Sequence, residues 1–188
     1  MVWLYWLLSY SIGNVMAAYF VGKAYNVNLQ EERSKNLGAR NAGSVIGKAA
    51  FTWTLLGDLL KGVLVVIVGR LWHFEEWVIV GGASFVILGH LFPVWLKFNG
   101  GKGVATFIGV GLALSPNLFL AMIIGTTLVA ALTRSLTLGM VGGFAFYIGA
   151  IIMSEHLPMY IPMLVAIGCM LIKHASNIKE SLAKRKAR

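Results

Sequence analysis

Apolar residues run through this chain in long blocks, and the polar positions gather between them. Residues 2–21 form the first block, and 49–69, 77–96, 135–153 and 157–172 form four more. Each approaches the roughly 20 apolar residues that a helix needs to cross about 30 Å of hydrocarbon. The first block lacks a basic leader and an A-x-A cleavage site, so it predicts an uncleaved helix and not a signal peptide. The longest polar segment is 23–48, while Asp58 and Lys61 lie inside the second apolar block.

Residues 103–132 carry no charge at all. As one helix they would extend about 45 Å, too long for a modest tilt. Ser115-Pro116-Asn117 stands in the middle and reads as a turn, which divides the region into two short spans. The distribution of charge selects this division. Basic residues cluster in 23–48 (five), at Lys97 and Lys102, at Arg134, and in the tail 173–188 (six). The intervening turns hold Arg70 with Glu75 and Glu76, then Ser115-Pro116-Asn117, then Glu155 with His156. Cytoplasmic loops collect Lys and Arg. With two spans in 103–132, every basic cluster falls on one side; with one span, the tail falls on the other. The sequence therefore predicts an all-α polytopic membrane protein of seven transmembrane helices, with the N-terminus outside and the C-terminus in the cytoplasm. Residues 1–188 form a single integral-membrane domain in this reading, ending in the basic tail 173–188.

Composition agrees. Hydrophobic residues make up 58% of the 188, charged ones only 12%, and the mean hydropathy is +0.77. A soluble domain carries about a quarter charged residues, so a soluble two-domain enzyme and a disordered chain are both excluded. The net charge of +9 would suggest nucleic acid in a soluble protein. In so apolar a chain it points instead to anionic lipid or an anionic substrate, and no nucleic-acid partner is expected. A single cysteine, Cys169, excludes an internal disulfide and a cysteine-based metal site. The 22 glycines are spread through the spans, where small residues let helices approach closely.

Three polar groupings carry candidate chemistry. The loop 32–41 offers charge at Arg33, Lys35 and Arg40 and neutral hydrogen-bonding groups at Ser34, Asn36 and Asn41. Gly38 is expected to take a positive φ and turn backbone N–H groups inward, a combination suited to phosphate. A solvated loop on the positive side of a membrane accounts for the charges alone, but it does not require the Ser and the two Asn. In the second grouping, Gly100-Gly101-Lys102-Gly103 opens the apolar run that begins at Val104. A glycine loop feeding a helix N-terminus presents N–H groups and a positive dipole to an anion, and Lys102 adds a point charge. A tight turn with one snorkelling lysine has the same appearance. His90, one turn to the membrane side, is an acid–base candidate or an interfacial residue with a satisfied ring. Asp58 and Lys61, three apart on one helix face, are expected to form an internal ion pair that supports the polar site. In the third grouping, His174, Asn177 and Ser181 share a face at helical spacing, and the tail cations meet anionic headgroups. For His174 and Asn177, site and structural roles both stay open.

These residues resemble the integral-membrane acyl-phosphate:glycerol-3-phosphate acyltransferases of bacteria, the PlsY family, over nearly the whole chain. Gly89-His90 through Thr106 is similar to the family's G-H-x-[FY]-P-x-[FW]-x-x-F-x-G-G-K-G-V-A-T almost throughout. Asn36, Gly38, Ala39 and Asn41 match G-S-G-N-x-G-A-T-N, and Asp58 with Lys61-Gly62 matches D-x-x-K-G. Arg134 to Leu138 resembles R-Y-x-S-L, with Thr137 at the family serine, and His174 with Asn177-Ile178 resembles R-H-x-x-N-I. There are departures. Arg33-Ser34-Lys35-Asn36 stands where the family has Gly-Ser-Gly-Asn, and Ser44 stands at a family arginine expected to hold the acceptor's phosphate.

The resemblance implies transfer of a fatty acyl group from an acyl phosphate to the 1-hydroxyl of glycerol 3-phosphate, giving lysophosphatidic acid. It implies Lys102, Ser34 and His90 as catalytic candidates. Asn36, Gly38, Arg40, Asn41, Gly100, Gly101, Gly103, Thr137, His174 and Asn177 are implied as substrate-binding. No H-x-x-x-x-D dyad occurs at any histidine, so a substrate phosphate acting as its own base is the implied mechanism, with His90 as a protein alternative. No cofactor or metal is expected. Membrane lipid and a soluble enzyme that forms the acyl phosphate are the further partners, and the bacterial cytoplasmic membrane is the expected location, with the active loops on its inner face. The alternatives are a paralogue that binds acyl phosphate or phospholipid without turnover and, from the Asp58–Lys61 pair, a small transporter.

Overall fold

The computed structural model describes residues 1–186; Arg188, counted above in the basic tail, lies outside the described residues. Those residues form helices throughout, and five stretches are long and apolar enough to cross a membrane. They fall into two compact units, one from Met1 to Leu114 and one from Ser115 onward.

The first unit holds α1 (Val2–Asn14), α2 (Ala17–Ala24), α3 (Ala39–Val45), α4 (Lys48–Leu71), α5 (Glu76–Leu91) and α6 (Val104–Leu114). The first apolar block is thus not one helix. Val15 (φ −69°, ψ 107°) and Met16 (φ −96°, ψ 99°) are extended and separate α1 from α2. Hydropathy cannot report this interruption, because both residues are apolar and the break is held by side chains distant in sequence. The polar segment 23–48 contains one element of its own, α3, which covers the core of Met16, Leu29, Leu37 and Ala50. The block 77–96 also ends early. Helix α5 stops at Leu91, and a single 3-10 turn, Val94–Leu96, follows Pro93.

Small residues set the helix contacts, as in other membrane bundles. Between α1 and α5 the backbones meet at Gly13 and Gly89; a Cβ on Gly89 would strike the Tyr10 carbonyl and stand 3.0 Å from the Gly13 Cα. Between α4 and α6 the same closeness occurs at Gly62 against the Thr106 carbonyl and at Gly109 against the Leu59 carbonyl. Arg70 Nη2 donates to the Leu114 carbonyl at 2.8 Å and so caps the end of α6. Eleven residues long, about 16 Å, α6 accompanies only the second half of α4.

The second unit holds α7 (Pro116–Thr133), α8 (Leu136–Met153), α9 (Leu157–Lys173) and α10 (Ala175–Lys186). The chain breaks at Ser115, as the Ser-Pro-Asn turn predicts, and Pro116 occupies the first turn of α7, where its missing N–H is harmless. Ser135 caps α8 by accepting from the Leu138 N–H at 3.3 Å. Helices α9 and α10 meet at 59°, and the pair counts as a sixth candidate span if it is read as one.

Candidate functional site

Asn41 organises the first polar loop. It is buried on α3, and its side-chain amide is engaged on both sides. Its Nδ2 donates to the carbonyls of Leu29 (3.0 Å) and Glu32 (3.3 Å). Its Oδ1 accepts from the hydroxyl of Ser34 (3.0 Å) and the N–H of Ser34 (3.3 Å). Asn41 therefore shapes the loop, and Ser34 is held by it. Gly38 departs from expectation. Its backbone is extended (φ −146°, ψ 165°) because it is the N-cap of α3, where extended geometry is the rule. The left-handed positions of this loop are Arg33 (φ 45°) and Lys35 (φ 56°). Asn36 is half-buried beside Gly38, its Nδ2 lying 2.8 Å from where a Gly38 Cβ would stand.

Gly100, Gly101 and Gly103 are buried in the second loop, and half-buried Lys102 stands between them. Gly100 N–H donates to the Leu91 carbonyl (3.2 Å) and Gly101 N–H to the His90 carbonyl (3.1 Å). The Gly101 N–H thus ties the loop to the end of α5 and does not point at a ligand, a correction to its expected use as a phosphate donor. Gly103 has φ 82° and leads into α6, whose first bond runs from the Phe107 N–H to the Gly103 carbonyl at 2.8 Å. The N–H groups of 104–106 then belong to the unmatched first turn, the positive end of the helix dipole.

His90 lies beneath this loop, 2% exposed. Its Nδ1 is 2.8 Å from Lys61 Nζ and 3.5 Å from Asp58 Oδ1. A Cβ on Gly101 would overlap His90 Nε2 and stand 2.7 Å from the Leu37 carbonyl. That contact brings the first loop and the glycine loop together. The Asp58–Lys61 pair expected from the sequence is present at 3.0 Å, with both residues buried. It is part of the packing between helices, which removes the feature that favoured a transporter.

Arg40, Gly43, Ser44, Lys48, Phe51 and Thr52 line a cavity of about 480 Å³. Arg40 is close enough to Lys102 for its charge to act there: burial, and then the Arg40 guanidinium, hold the Lys102 ammonium below the ordinary lysine range. The positive charge that Arg40 and Lys102 share favours an anion here. Sequence reasoning missed Lys48 and Thr52. Lys48 was readable only as one of five cations in a loop, and its place on the cavity depends on the reversal at Gly47 (φ 127°). Ser44 donates to the Asn41 carbonyl at 3.0 Å, so this short side chain is turned back on its own helix.

In the second unit, Thr137 lies in the first turn of α8, half-buried. His174 caps α9 and is buried. Its Nδ1 is 2.8 Å from the Met170 carbonyl, which only accepts, so Nδ1 carries a proton. Asn177 follows on α10, one turn along and half-buried.

Comparison with known proteins gives this arrangement its family. The chain matches the glycerol-3-phosphate acyltransferase family over residues 3–184. It is 35% identical over 181 residues to the glycerol-3-phosphate acyltransferase of Rubrobacter xylanophilus, covering 94% of this chain and 89% of that one. It is 37% identical over 186 residues to the protein of the same name from Trichlorobacter lovleyi, covering 96% and 94%. Its fold is similar to the crystal structure of PlsY (YgiH), an integral membrane glycerol 3-phosphate acyltransferase, in the glycerol 3-phosphate form. That match has a TM-score of 0.86 at 24% identity, over 98% of this chain and 93% of that one. The lysophosphatidic acid form of the same protein matches with a TM-score of 0.84. This all-helical membrane protein therefore belongs to the glycerol-3-phosphate acyltransferase family.

Proposed function

We propose that the chain transfers a fatty acyl group from an acyl phosphate to the 1-hydroxyl of glycerol 3-phosphate. The hydroxyl oxygen attacks the acyl carbonyl carbon, the bond from that carbon to the bridging phosphate oxygen breaks, and inorganic phosphate leaves. The hydroxyl proton goes to a phosphate oxygen of the substrate. An acyl phosphate is already an activated mixed anhydride, so charge neutralisation and positioning supply the catalysis. The observation that carries this reading is the place of Lys102 just ahead of the N-terminus of α6, with the charge of Arg40 acting on it, in a family whose relatives are named for glycerol-3-phosphate acyl transfer.

Lys102 neutralises the phosphate of the acyl donor, with the first turn of α6 and Gly103 beneath it. Ser34 and Asn36 orient substrate from a loop that Asn41 and Gly38 shape, and Gly100 and Gly101 seat that loop on α5. His90, buried below, positions the loop and leaves proton transfer to the substrate. Arg40 and Lys48 hold the acceptor's phosphate in the cavity over Ser44, supplying the charge that Ser44 lacks; a paralogue that binds without turnover has no support in this arrangement. Thr137, His174 and Asn177 are kept in this proposal as substrate-binding residues on the strength of the family resemblance alone.

In this proposal residues 1–188 are one acyltransferase domain with seven membrane-spanning helices, the N-terminus outside and the C-terminus in the cytoplasm. The active loops face the inside of the bacterial cell membrane, where a soluble enzyme delivers the acyl phosphate. The test is direct. Purified protein given acyl phosphate and glycerol 3-phosphate should release inorganic phosphate and form lysophosphatidic acid in equal amounts. Phosphate release without lysolipid, or neither product, would remove the reading.

A further inference from the structure

An interruption inside an apolar span leaves carbonyl groups that lipid cannot satisfy. At the break between α1 and α2 three carbonyls are exposed in this way, and each has a side-chain donor. Lys61 Nζ donates to the carbonyls of Gly13 (3.1 Å) and Val15 (2.7 Å), and Trp95 Nε1 donates to that of Asn14 (2.9 Å). The same ammonium is 2.8 Å from His90 Nδ1 and 3.0 Å from Asp58 Oδ1. An ammonium offers only N–H bonds and has no lone pair. The Gly13 and Val15 carbonyls take two of its three N–H groups, and the third faces Nδ1. Nδ1 is then the bare nitrogen of a neutral ring protonated on Nε2, while Asp58 Oδ1 makes a charge contact without a hydrogen bond. Nε2 is the atom against which Gly101 is seated, while the Gly101 N–H is held by the carbonyl of His90 itself. Asp58 balances the charge of Lys61 and is displaced from the ring at 3.5 Å.

Building on the acyl-transfer reading, we propose that Lys61 is a positioning residue for the reaction. It joins the interruption of the first span to His90, fixes that ring as the Nε2–H tautomer, and thereby sets the height of the loop that carries Lys102. The break in the first span is then part of the site's support. A straight helix there would keep the Gly13 and Val15 carbonyls for itself and leave Lys61 with no anchor on α1.

The test needs protein labelled with ¹⁵N in the imidazole ring and held in detergent micelles. Of the four histidines, the His90 signals are identified by their loss in His90→Asn. The expected result is a bare Nδ1 and a protonated Nε2 in the wild type. Lys61→Met should disturb that pattern and lower kcat by about tenfold or more, because a displacement near 1 Å at reacting groups costs on the order of 10²-fold. KM for glycerol 3-phosphate should stay within a factor of about two, since no binding group is touched, and Lys61→Arg should recover part of kcat. A protonated Nδ1 or a doubly protonated ring in the wild type overturns the inference, and this measurement needs no variant to fold. A folded Lys61→Met with unchanged tautomer and kcat overturns it as well. A wild type that shows the expected tautomer but no turnover defeats the acyl-transfer reading and, with it, the positioning role.

Discussion

The hydroxyl of Ser34 lies 3.0 Å from Oδ1 of Asn41, seven residues ahead and already inside α3. Because the other face of the Asn41 amide is bound to the Leu29 and Glu32 carbonyls, one side chain holds both limbs of the loop. Asn41→Ala should therefore unfasten the loop. Each buried hydrogen bond contributes about 0.5–1.5 kcal/mol, so a loss on the order of 2 kcal/mol is expected. Hydrogen exchange should accelerate across residues 29–38 while the spans stay protected. Asn41→Asp keeps the acceptor for Ser34 but turns a buried carboxylate oxygen toward the Leu29 and Glu32 carbonyls, so it should lose at least as much as Asn41→Ala. Unchanged exchange in Asn41→Ala would show that the loop is held by something else.

Much of this was legible in the sequence because the signals are local. The apolar blocks at 49–69 and 135–153, the break at Ser115 and the Asp58–Lys61 pair all depend on neighbours within a few residues and are present. The expected turn, however, shrinks to one residue, because Pro116 and Asn117 already belong to α7. What hydropathy missed depends on distant partners. The break at Val15 and Met16 is held by Lys61, 46 residues from Val15, and by Trp95, 81 residues from Asn14. The positive φ expected at Gly38 occurs instead at Arg33 and Lys35, the two positions where the family pattern has glycine. Arg33 and Lys35 hold this left-handed backbone at a strain of about 1–2 kcal/mol each.

Gly101 and Gly38 should respond oppositely to alanine. A methyl on Gly101 meets His90 Nε2 and the Leu37 carbonyl, both fixed and buried. A methyl on Gly38 meets only Asn36 Nδ2, the far end of a flexible side chain, and the Gly38 backbone is already extended. Gly101→Ala should lose about 1–3 kcal/mol through overpacking and most of its activity. Gly38→Ala should keep its thermal stability within about 0.5 kcal/mol, as for other changes that disturb no buried contact. A melting series on the two variants checks both, and equal losses would contradict the loop geometry.

Lys102 offers a pH test. Burial first, and Arg40 second, lower its pKa, so the ammonium is lost at lower pH than in an exposed lysine. If its charge is required at the phosphate, kcat/KM should fall on the alkaline side as pH rises through that lowered value, since this ratio reports the free enzyme. Arg40→Gln removes the second cause and should move the limb to higher pH. Lys102→Arg should abolish it, because guanidinium does not titrate in this range. Lys102→Ala should remove most activity with insertion intact. An alkaline limb that persists unchanged in Lys102→Arg would assign it to another group.

The seven-span arrangement is checked by reporters at three positions. One fused after Arg188 should be cytoplasmic, and one placed near Glu75 should be outside. Arg70, which caps α6 through the Leu114 carbonyl, puts the end of α6 beside the end of α4 that leads to Glu75, so a reporter at Ser115 should share the fate of the one at Glu75. Finding the Glu75 and Arg188 reporters on one side would remove the topology.

Ser44 decides how the acceptor is held. Its hydroxyl is turned back to the Asn41 carbonyl, and the cavity beside it carries its charge on Arg40 and Lys48. A hydrogen bond to a charged group contributes about 1.5–3 kcal/mol, or about one to two decades of affinity. Arg40→Ala and Lys48→Ala should each raise KM for glycerol 3-phosphate by up to that factor, with a smaller effect on KM for the acyl donor in Lys48→Ala, because only Arg40 also acts on Lys102. Ser44→Arg restores the family residue and should lower KM in the wild type, or rescue Lys48→Ala by supplying the lost charge from four residues away. If Arg40→Ala, Lys48→Ala and Ser44→Arg all leave KM for glycerol 3-phosphate unchanged, the acceptor's phosphate is not in this cavity. If Ser44→Arg is the only form that turns over, the natural chain binds its ligand without reacting it, and Arg40 and Lys48 are not equivalent to the arginine they replace.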